Sequence, residues 1–305
     1  DTDRSRGLGD VYKRQELNSI IYSNQKLLYD ALYHAASATL NELSKDAKYL
    51  GADIGYICIL HTWGSAMNYH PHIHTIVLGG GLDDENKWKE TGGNFFLPYG
   101  VISKVFRGKY LDELKSLWND SKLKFHGTAE KYQNSYRFKE LLDKCYEKNW
   151  VTYCKETFNG AQSVINYLGK YTHRIAISNH RIKSMTDTTV TYAVKDYKNE
   201  GHWKEKTISG EEFIRRFMMH VPPKRFVRIR HYGLLSCRNK RKKITHCRNL
   251  LGCKKYISTL KNLNAVEMIR VLYHIDVCKC SSCGGNMVSP RKDKYSSSFR
   301  AHMRC

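Results

Sequence analysis

The segment "YHPHIHTIVLGGG", Tyr69 to Gly81, constrains this chain more than any other. Histidines recur at every second position (His70, His72, His74), and four apolar or β-branched residues follow them. A period of two belongs to a β-strand, whose side chains alternate between the faces of a sheet. His70, His72, His74 and Ile76 therefore share one face, while Ile73, Thr75 and Val77 share the other. One face is suited to packing and the other presents nitrogen ligands. Gly79, Gly80 and Gly81 are expected to end the strand. The run "IGYICIL", Ile54 to Leu60, is β-rich and short, and the two segments read as neighbouring strands.

With 14 histidines in 305 residues, chance would produce an H-x-H-x-H run only about 0.03 times. Neutral imidazole is a common ligand for divalent ions, and two on one strand face can share an ion. Histidines satisfied by hydrogen bonds within a core are the competing, purely structural reading.

Other periodicities organise the rest of the chain. Leu27, Leu28, Ala31, Leu32, Ala35 and Leu43 form a helical stripe, which predicts an amphipathic helix or a pair of them between Glu16 and about Leu50. Lys104 to Lys148 is helical in pattern and heavily charged. "WVTYCKE" reads as a strand, and "GAQSVINYLGKYTHR" as a helix from near Ala161 to just past Tyr171. "TVTYAVKDY" and "FVRIRHYGLL" read as strands, with a joint at Pro222 and Pro223 between them. The first fifteen residues are polar and show no usable period, so they are expected to form a disordered leader outside the fold.

Charge narrows the choice of partner. Fifty-one Lys and Arg against 29 Asp and Glu give a formal charge of +22, which points to a polyanion, with nucleic acid first. From Phe213 to Val266 the chain holds fifteen Lys or Arg and no carboxylate. No apolar run approaches the roughly 20 residues of a membrane span, so no membrane partner is expected and the chain is assigned to the cytoplasm. Six cysteines (Cys58, Cys145, Cys154, Cys237, Cys247 and Cys253) are scattered without the spacing of a disulfide framework. The tail differs: Cys280-x2-Cys283 is followed, after eighteen intervening residues, by His302-x2-Cys305, a spacing that fits a small tetrahedral zinc ribbon, with Cys278 as a spare ligand.

A phosphodiester substrate calls for a nucleophile. Tyr167 and Tyr171 stand four apart on the predicted helix and so share one face of it. Tyr29/Tyr33 and Tyr132/Tyr136 have the same spacing, but Lys170, His173, Arg174, His180 and Arg181 surround the Tyr167 pair without any carboxylate. A phenol ionises near pH 10, so a cationic setting of this kind is what a reactive tyrosine needs.

"LHTWG" (Leu60 to Gly64), "HPHIHTIVLGGGL" (His70 to Leu82), "FFLPYGVISKVFRGKY" (Phe95 to Tyr110), "YLGKYTHRIAISNHR" (Tyr167 to Arg181) and "FIRRFMMHVPPKRFVRIRHYGLL" (Phe213 to Leu235) occur in one order. Together they resemble the two-tyrosine transposases of the insertion-sequence-91 type, over about Glu16 to Met287. Those proteins are HUH endonucleases, named for two histidines flanking a bulky apolar residue, which His72, Ile73 and His74 match. The resemblance implies a rolling-circle transposase that nicks single-stranded DNA and becomes joined to the new 5′ end through a tyrosine. It also implies a central antiparallel sheet carrying the HUH strand, with the tyrosines on a nearby helix. Members usually begin with a cysteine-rich zinc-binding module; here the resemblance starts at Glu16, and the knuckle-like "CKCSSCGGNM" runs into an end expected to be truncated at Cys305.

On this reading the fold class is α+β: a HUH-endonuclease-like central antiparallel sheet flanked by helices, with a basic C-terminal extension and a candidate zinc knuckle. The expected layout is a leader (1–15), a nuclease domain (16–215), a basic DNA-binding extension (216–275) and the knuckle (276–305). Tyr167 and Tyr171 are the expected nucleophiles, and His72 and His74 the expected ligands of Mg²⁺ or Mn²⁺. His70 is ranked first as third ligand, with Gln162 or Asn166 as alternatives. Lys170, His173, Arg174, Arg181, Arg228 and Arg230 are the expected DNA contacts, and Cys280, Cys283, His302 and Cys305 the candidate Zn²⁺ ligands. Single-stranded DNA at mobile-element ends is the expected partner, in the bacterial nucleoid. Two rival readings are a metal hydrolase with structural tyrosines and a non-catalytic DNA-binding remnant of a transposase.

Overall fold

The computed structural model describes residues 10–12, 15–92, 97–153, 164, 167–169, 175–196, 201–238, 240–253, 260, 262–280 and 282–287. Two compact units divide the chain, one up to Cys247 and one from Arg248. The first unit is α+β, with antiparallel sheets flanked by helices.

Its centre is a long antiparallel pair, β2 (Asp53–Trp63) and β3 (Tyr69–Leu82). β1 (Asp10–Tyr12) and β5 (Val151–Tyr153) extend the sheet on the β3 side, β9 (Ile229–Gly233) lies beyond β2, and β4 (Trp88–Glu90) pairs with the far end of β3. Asp10–Tyr12 lie inside the stretch set aside as a leader; they pair with both β3 and β5. β9 lies inside the stretch given to the basic extension, and it pairs with β2 from Gly55 to Ile59. Backbone pairing recruited β1, which carries no apolar alternation that would have announced it, whereas β9 lies within "FVRIRHYGLL", the segment whose pattern predicts a strand.

The expected end of the histidine strand at Gly79 is corrected by the structure: β3 runs on through the glycines to Leu82. Close approach explains the residue type. A Cβ on Gly80 would sit 2.5 Å from the Lys89 carbonyl oxygen, and one on Gly81 would sit 2.5 Å from that of Asp53. The glycines let three backbones crowd together where β4 joins.

One face of the sheet is covered by α1 (Asn18–Ser23), α2 (Gln25–Lys45), α3 (Tyr99–Asn119) and α4 (Ser135–Glu147). The first two are the pair that the Glu16–Leu50 periodicity allows. Leu28, Ala31, Leu32, Ala35 and Leu43 of that stripe are buried with Cys58, Leu60 and Ile73 of the sheet and Phe106, Tyr110 and Leu111 of α3. Asn24 fixes the break between α1 and α2, its side chain donating to the Ile20 carbonyl at 2.9 Å and the Lys124 carbonyl at 2.7 Å. The fully buried Tyr33 hydroxyl donates to the Arg228 carbonyl and accepts the Leu60 N–H at 3.0 Å, so it pins the approach to β9 against β2. A buried polar group left without such a partner would cost about 1–3 kcal/mol.

A second antiparallel sheet follows, β6 (Ile182–Met185), β7 (Thr189–Asp196) and β8 (His202–Ser209), in the order β6-β7-β8. α5 (Gly210–Met218) leaves β8 directly, capped by the Ser209 side chain, which accepts the Glu212 N–H at 3.2 Å. Phe213 and Phe217 of α5 pack with Tyr192, Val194, Met67 and Ala176 in a small core of their own. α6 (Lys240–Leu250) carries the most basic part of the acid-free run. In the second unit, α7 (Ala265–Tyr273) starts with a capping box between Asn264 and Glu267, and the Met287 N–H donates to the Cys278 carbonyl at 2.7 Å.

Candidate active site

Register builds the site. His61 of β2 lies directly opposite His72 of β3, so the two side chains leave the sheet on the same face, and strand alternation adds His74. Each of the three offers one nitrogen within 4.8 Å of the others. They are only 3 %, 5 % and 2 % exposed, on the sheet face away from α2. Trp63, next on that face of β2, stacks on the His61 ring at 4.6 Å and 20°.

Hydrogen bonding fixes the chemistry of His72. Its Nδ1 donates to the His70 carbonyl at 2.6 Å, which leaves Nε2 with a lone pair. Burial, then the neighbouring His74, His70 and His61 rings, hold its pKa well below the ordinary imidazole value. A neutral ring oriented by a carbonyl on one nitrogen is the usual form of a metal-ligating histidine. His72 Nε2 and His74 Nε2 stand 3.0 Å apart. Two lone pairs at that distance repel unless a proton or a cation lies between them. A proton on His74 Nε2 satisfies that contact by itself, and the three clustered nitrogens could hold a metal ion in its place.

His74 also looks the other way. Its Nδ1 lies 3.0 Å from the hydroxyl of Tyr167, which is 4 % exposed. One imidazole thus joins the nitrogen cluster to a tyrosine 93 residues further along the chain. Val164 and Tyr167–Gly169 are helical, as the periodicity there predicts. Tyr171, Gln162, Asn166, Lys170, His173 and Arg174 lie outside the described residues.

The third imidazole of the cluster is His61, where the sequence ranks His70 first. His70 contributes its carbonyl oxygen to His72, and its ring centroid lies 5.0 Å from that of His72. The signal for His61 was present in "LHTWG". In a hairpin turning within "GSAMN", residues whose numbers share one sum face each other, and one register places His61 across from His72 and Ile59 across from His74.

The expected DNA contacts among the described residues are woven into the fold. Arg181 donates through Nε to the Ala193 carbonyl at 2.9 Å and through Nη2 to the Ser65 carbonyl. Arg230 pairs with Asp30 and lies 4.0 Å above the Tyr33 ring, and burial lowers the pKa of the half-buried Arg228. In the second unit the Cys283 and Ser282 N–H groups shift the Cys280 thiol below its ordinary pKa. His302 and Cys305 lie outside the described residues.

The family model described as "Putative transposase" matches residues 55–243, a span from β2 through β9 that holds all three histidines and Tyr167. The chain belongs to this transposase family. It is 39% identical over 239 residues to "Putative transposase y4qJ" of Sinorhizobium fredii, covering 78% of this chain and 60% of that one. It is 27% identical over 270 residues to "Transposase for insertion sequence element IS801" of Pseudomonas savastanoi pv. phaseolicola, covering 88% of this chain and 63% of that one. The transposase chain thus spans about three fifths of the length of these curated relatives. No solved structure matches it significantly. Among the described residues, no helix is long and apolar enough to cross a membrane. The insertion-sequence resemblance read from the motifs agrees with the family found.

Proposed function

We propose that this transposase nicks and rejoins single-stranded DNA through a 5′-phosphotyrosine, as a rolling-circle enzyme of the HUH type. The observation that carries the proposal is the 3.0 Å contact between the Tyr167 hydroxyl and Nδ1 of His74, itself one of three clustered imidazoles. A nucleophile and a set of ion ligands meet on one side chain.

His61, His72 and His74 would hold Mg²⁺ or Mn²⁺, which when bound polarises a phosphate oxygen and offsets the charge of the transition state. The tyrosine oxygen attacks phosphorus, the P–O3′ bond breaks, and the 3′-oxygen leaves with a proton. Bond energy stays in the phosphotyrosine, so rejoining needs no nucleoside triphosphate. With an ion on its Nε2, His74 would keep its proton on Nδ1 and donate it to the Tyr167 oxygen, orienting that oxygen for attack. Tyr171, one helical turn away, is the proposed second nucleophile. The acid-free basic run holds the strand through its phosphates, and Cys280, Cys283, His302 and Cys305 would hold Zn²⁺.

Short single-stranded oligonucleotides from element ends, incubated with the protein and Mg²⁺, test the proposal. A denaturation-resistant protein–DNA adduct that chelator prevents is the expected result. Cleavage without an adduct would replace it with a metal hydrolase, and salt-dependent binding without cleavage with a DNA-binding remnant.

A further inference from the structure

The second sheet carries an exposed indole. Trp203 stands on β8, the edge strand, and 57 % of its surface is exposed. The opposite face of this sheet is accounted for, because Tyr192 and Val194 pack there with Phe213 and Phe217 of α5. Strand alternation puts Trp203 on the face that α5 leaves open, with Lys195 as its direct cross-strand partner. A single exposed apolar side chain is ordinary; what distinguishes Trp203 is the pair of cations beside it.

Two cations attend the ring. Lys195 Nζ lies 5.7 Å from its centroid and the Arg181 guanidinium carbon 5.6 Å. Both reach it from the β7 side, since Lys195 belongs to β7 and Arg181 is tied to the Ala193 carbonyl of that strand. Among the described residues no strand lies beyond β8, and more than half of the Trp203 surface is exposed. On the open faces of β7 and β8 one acid is found, Glu205, opposite Ala193.

We propose that Trp203 is a stacking platform for an unpaired base of single-stranded DNA, with Lys195 and Arg181 supplying positive charge for the adjoining phosphates. An aromatic face flanked by cations is the general form of sequence-tolerant single-strand binding. In a duplex the base faces are already stacked on one another, so the platform selects unpaired strand. This assignment rests on the reading that the transposase acts on single-stranded DNA.

The platform is also wired to the histidine site. The Lys195 N–H donates to the Ser65 hydroxyl oxygen at 2.6 Å, and Arg181 donates to the Ser65 carbonyl. Ser65 follows His61 by four residues, a reach of at most about 14 Å along the chain. A strand seated on Trp203 is thereby held beside the turn that leads into the imidazole cluster.

The test measures binding of the full chain to labelled single-stranded and duplex oligonucleotides by fluorescence anisotropy. Trp203→Ala should weaken single-strand binding about tenfold, leave duplex binding unchanged, and lose its effect on an oligonucleotide of abasic sites. Trp203→Tyr should restore affinity to within about threefold. An unchanged thermal unfolding curve for Trp203→Ala separates loss of stacking from loss of fold. Equal single-strand affinity of wild type and Trp203→Ala, or an equal loss on duplex and abasic DNA, would overturn the proposal. A Trp203-dependent affinity in a protein that forms no covalent adduct would leave the platform standing and remove the nicking reading; normal adduct with Trp203-independent affinity would do the reverse.

Discussion

β2 and β3 have two faces, and the same physical force does different work on each. Toward α2, Cys58, Leu60 and Ile73 lie in the large core; one residue along the strands, His61, His72 and His74 are buried on the other side. Burial disfavours charge on both faces. It pushes the Cys58 thiol up to about 12, and it holds the His72 imidazole well below its ordinary value. An uncharged thiol is inert, whereas an uncharged imidazole is a ligand. Two adjacent strands thus carry the scaffold on one side and the chemistry on the other, and alternation alone separates them.

The largest effect that would break this contrast is on the histidine face. Replacing His61 or His72 by Ala should slow adduct formation by about a thousandfold or more, because several kcal/mol of transition-state stabilisation go with the ion. DNA affinity should stay close to wild type. His70→Ala should cost less than about tenfold, since the main-chain carbonyl that orients His72 survives the substitution. Parallel adduct-rate measurements on the three variants show whether His61 or His70 completes the trio.

On the packed face the effect should be on stability. Ile73 is fully buried among α1, α2 and the sheet, so Ile73→Ala should lower the unfolding free energy by about 2–5 kcal/mol in a denaturant titration. Adduct chemistry in the protein that remains folded should be retained.

Acid sharpens the comparison further. Burial lowers the pKa of His220 to about 4, while its nitrogens contact the Thr62 hydroxyl at 3.2 Å and the Met67 carbonyl at 3.2 Å. The unfolded chain takes up a proton near pH 6.5 and the folded chain only near pH 4, so stability is full above pH 6.5 and falls as the pH drops through that window. The loss should approach about 3 kcal/mol at pH 4. His72, shifted in the same direction, adds to the slope. His220→Gln should flatten it when stability is measured from pH 7 to pH 4.

Much of this arrangement was legible in the residues. Period-two histidines gave β3 and its two faces, period-3.6 stripes gave α2 and α3, and the cationic setting of Tyr167 marked the tyrosine that meets His74. His61 was hidden because it depends on cross-strand register, which no single segment carries. β8 was hidden too: "HWKEKTIS" is an exposed edge strand whose charges erase the alternation, and it surfaces only through its pairing with β7. α5 straddles the boundary expected at residue 215 between nuclease domain and basic extension, although Glu211 and Glu212 follow the capping Ser209 as the first turn of a helix prefers. β9 was legible within "FVRIRHYGLL", whereas β1 joined the sheet through backbone hydrogen bonds, to which sequence pattern is nearly blind.

The central claim is that Tyr167, held by His74, becomes joined to DNA. Peptide mapping of the wild-type adduct by mass spectrometry, alongside Tyr167→Phe, Tyr171→Phe and the double variant, tests it most directly. The account predicts DNA on Tyr167 and on Tyr171, a reduced adduct from each single variant, and none from the double. DNA mapped to any other residue, or an undiminished adduct from the double variant, would contradict it.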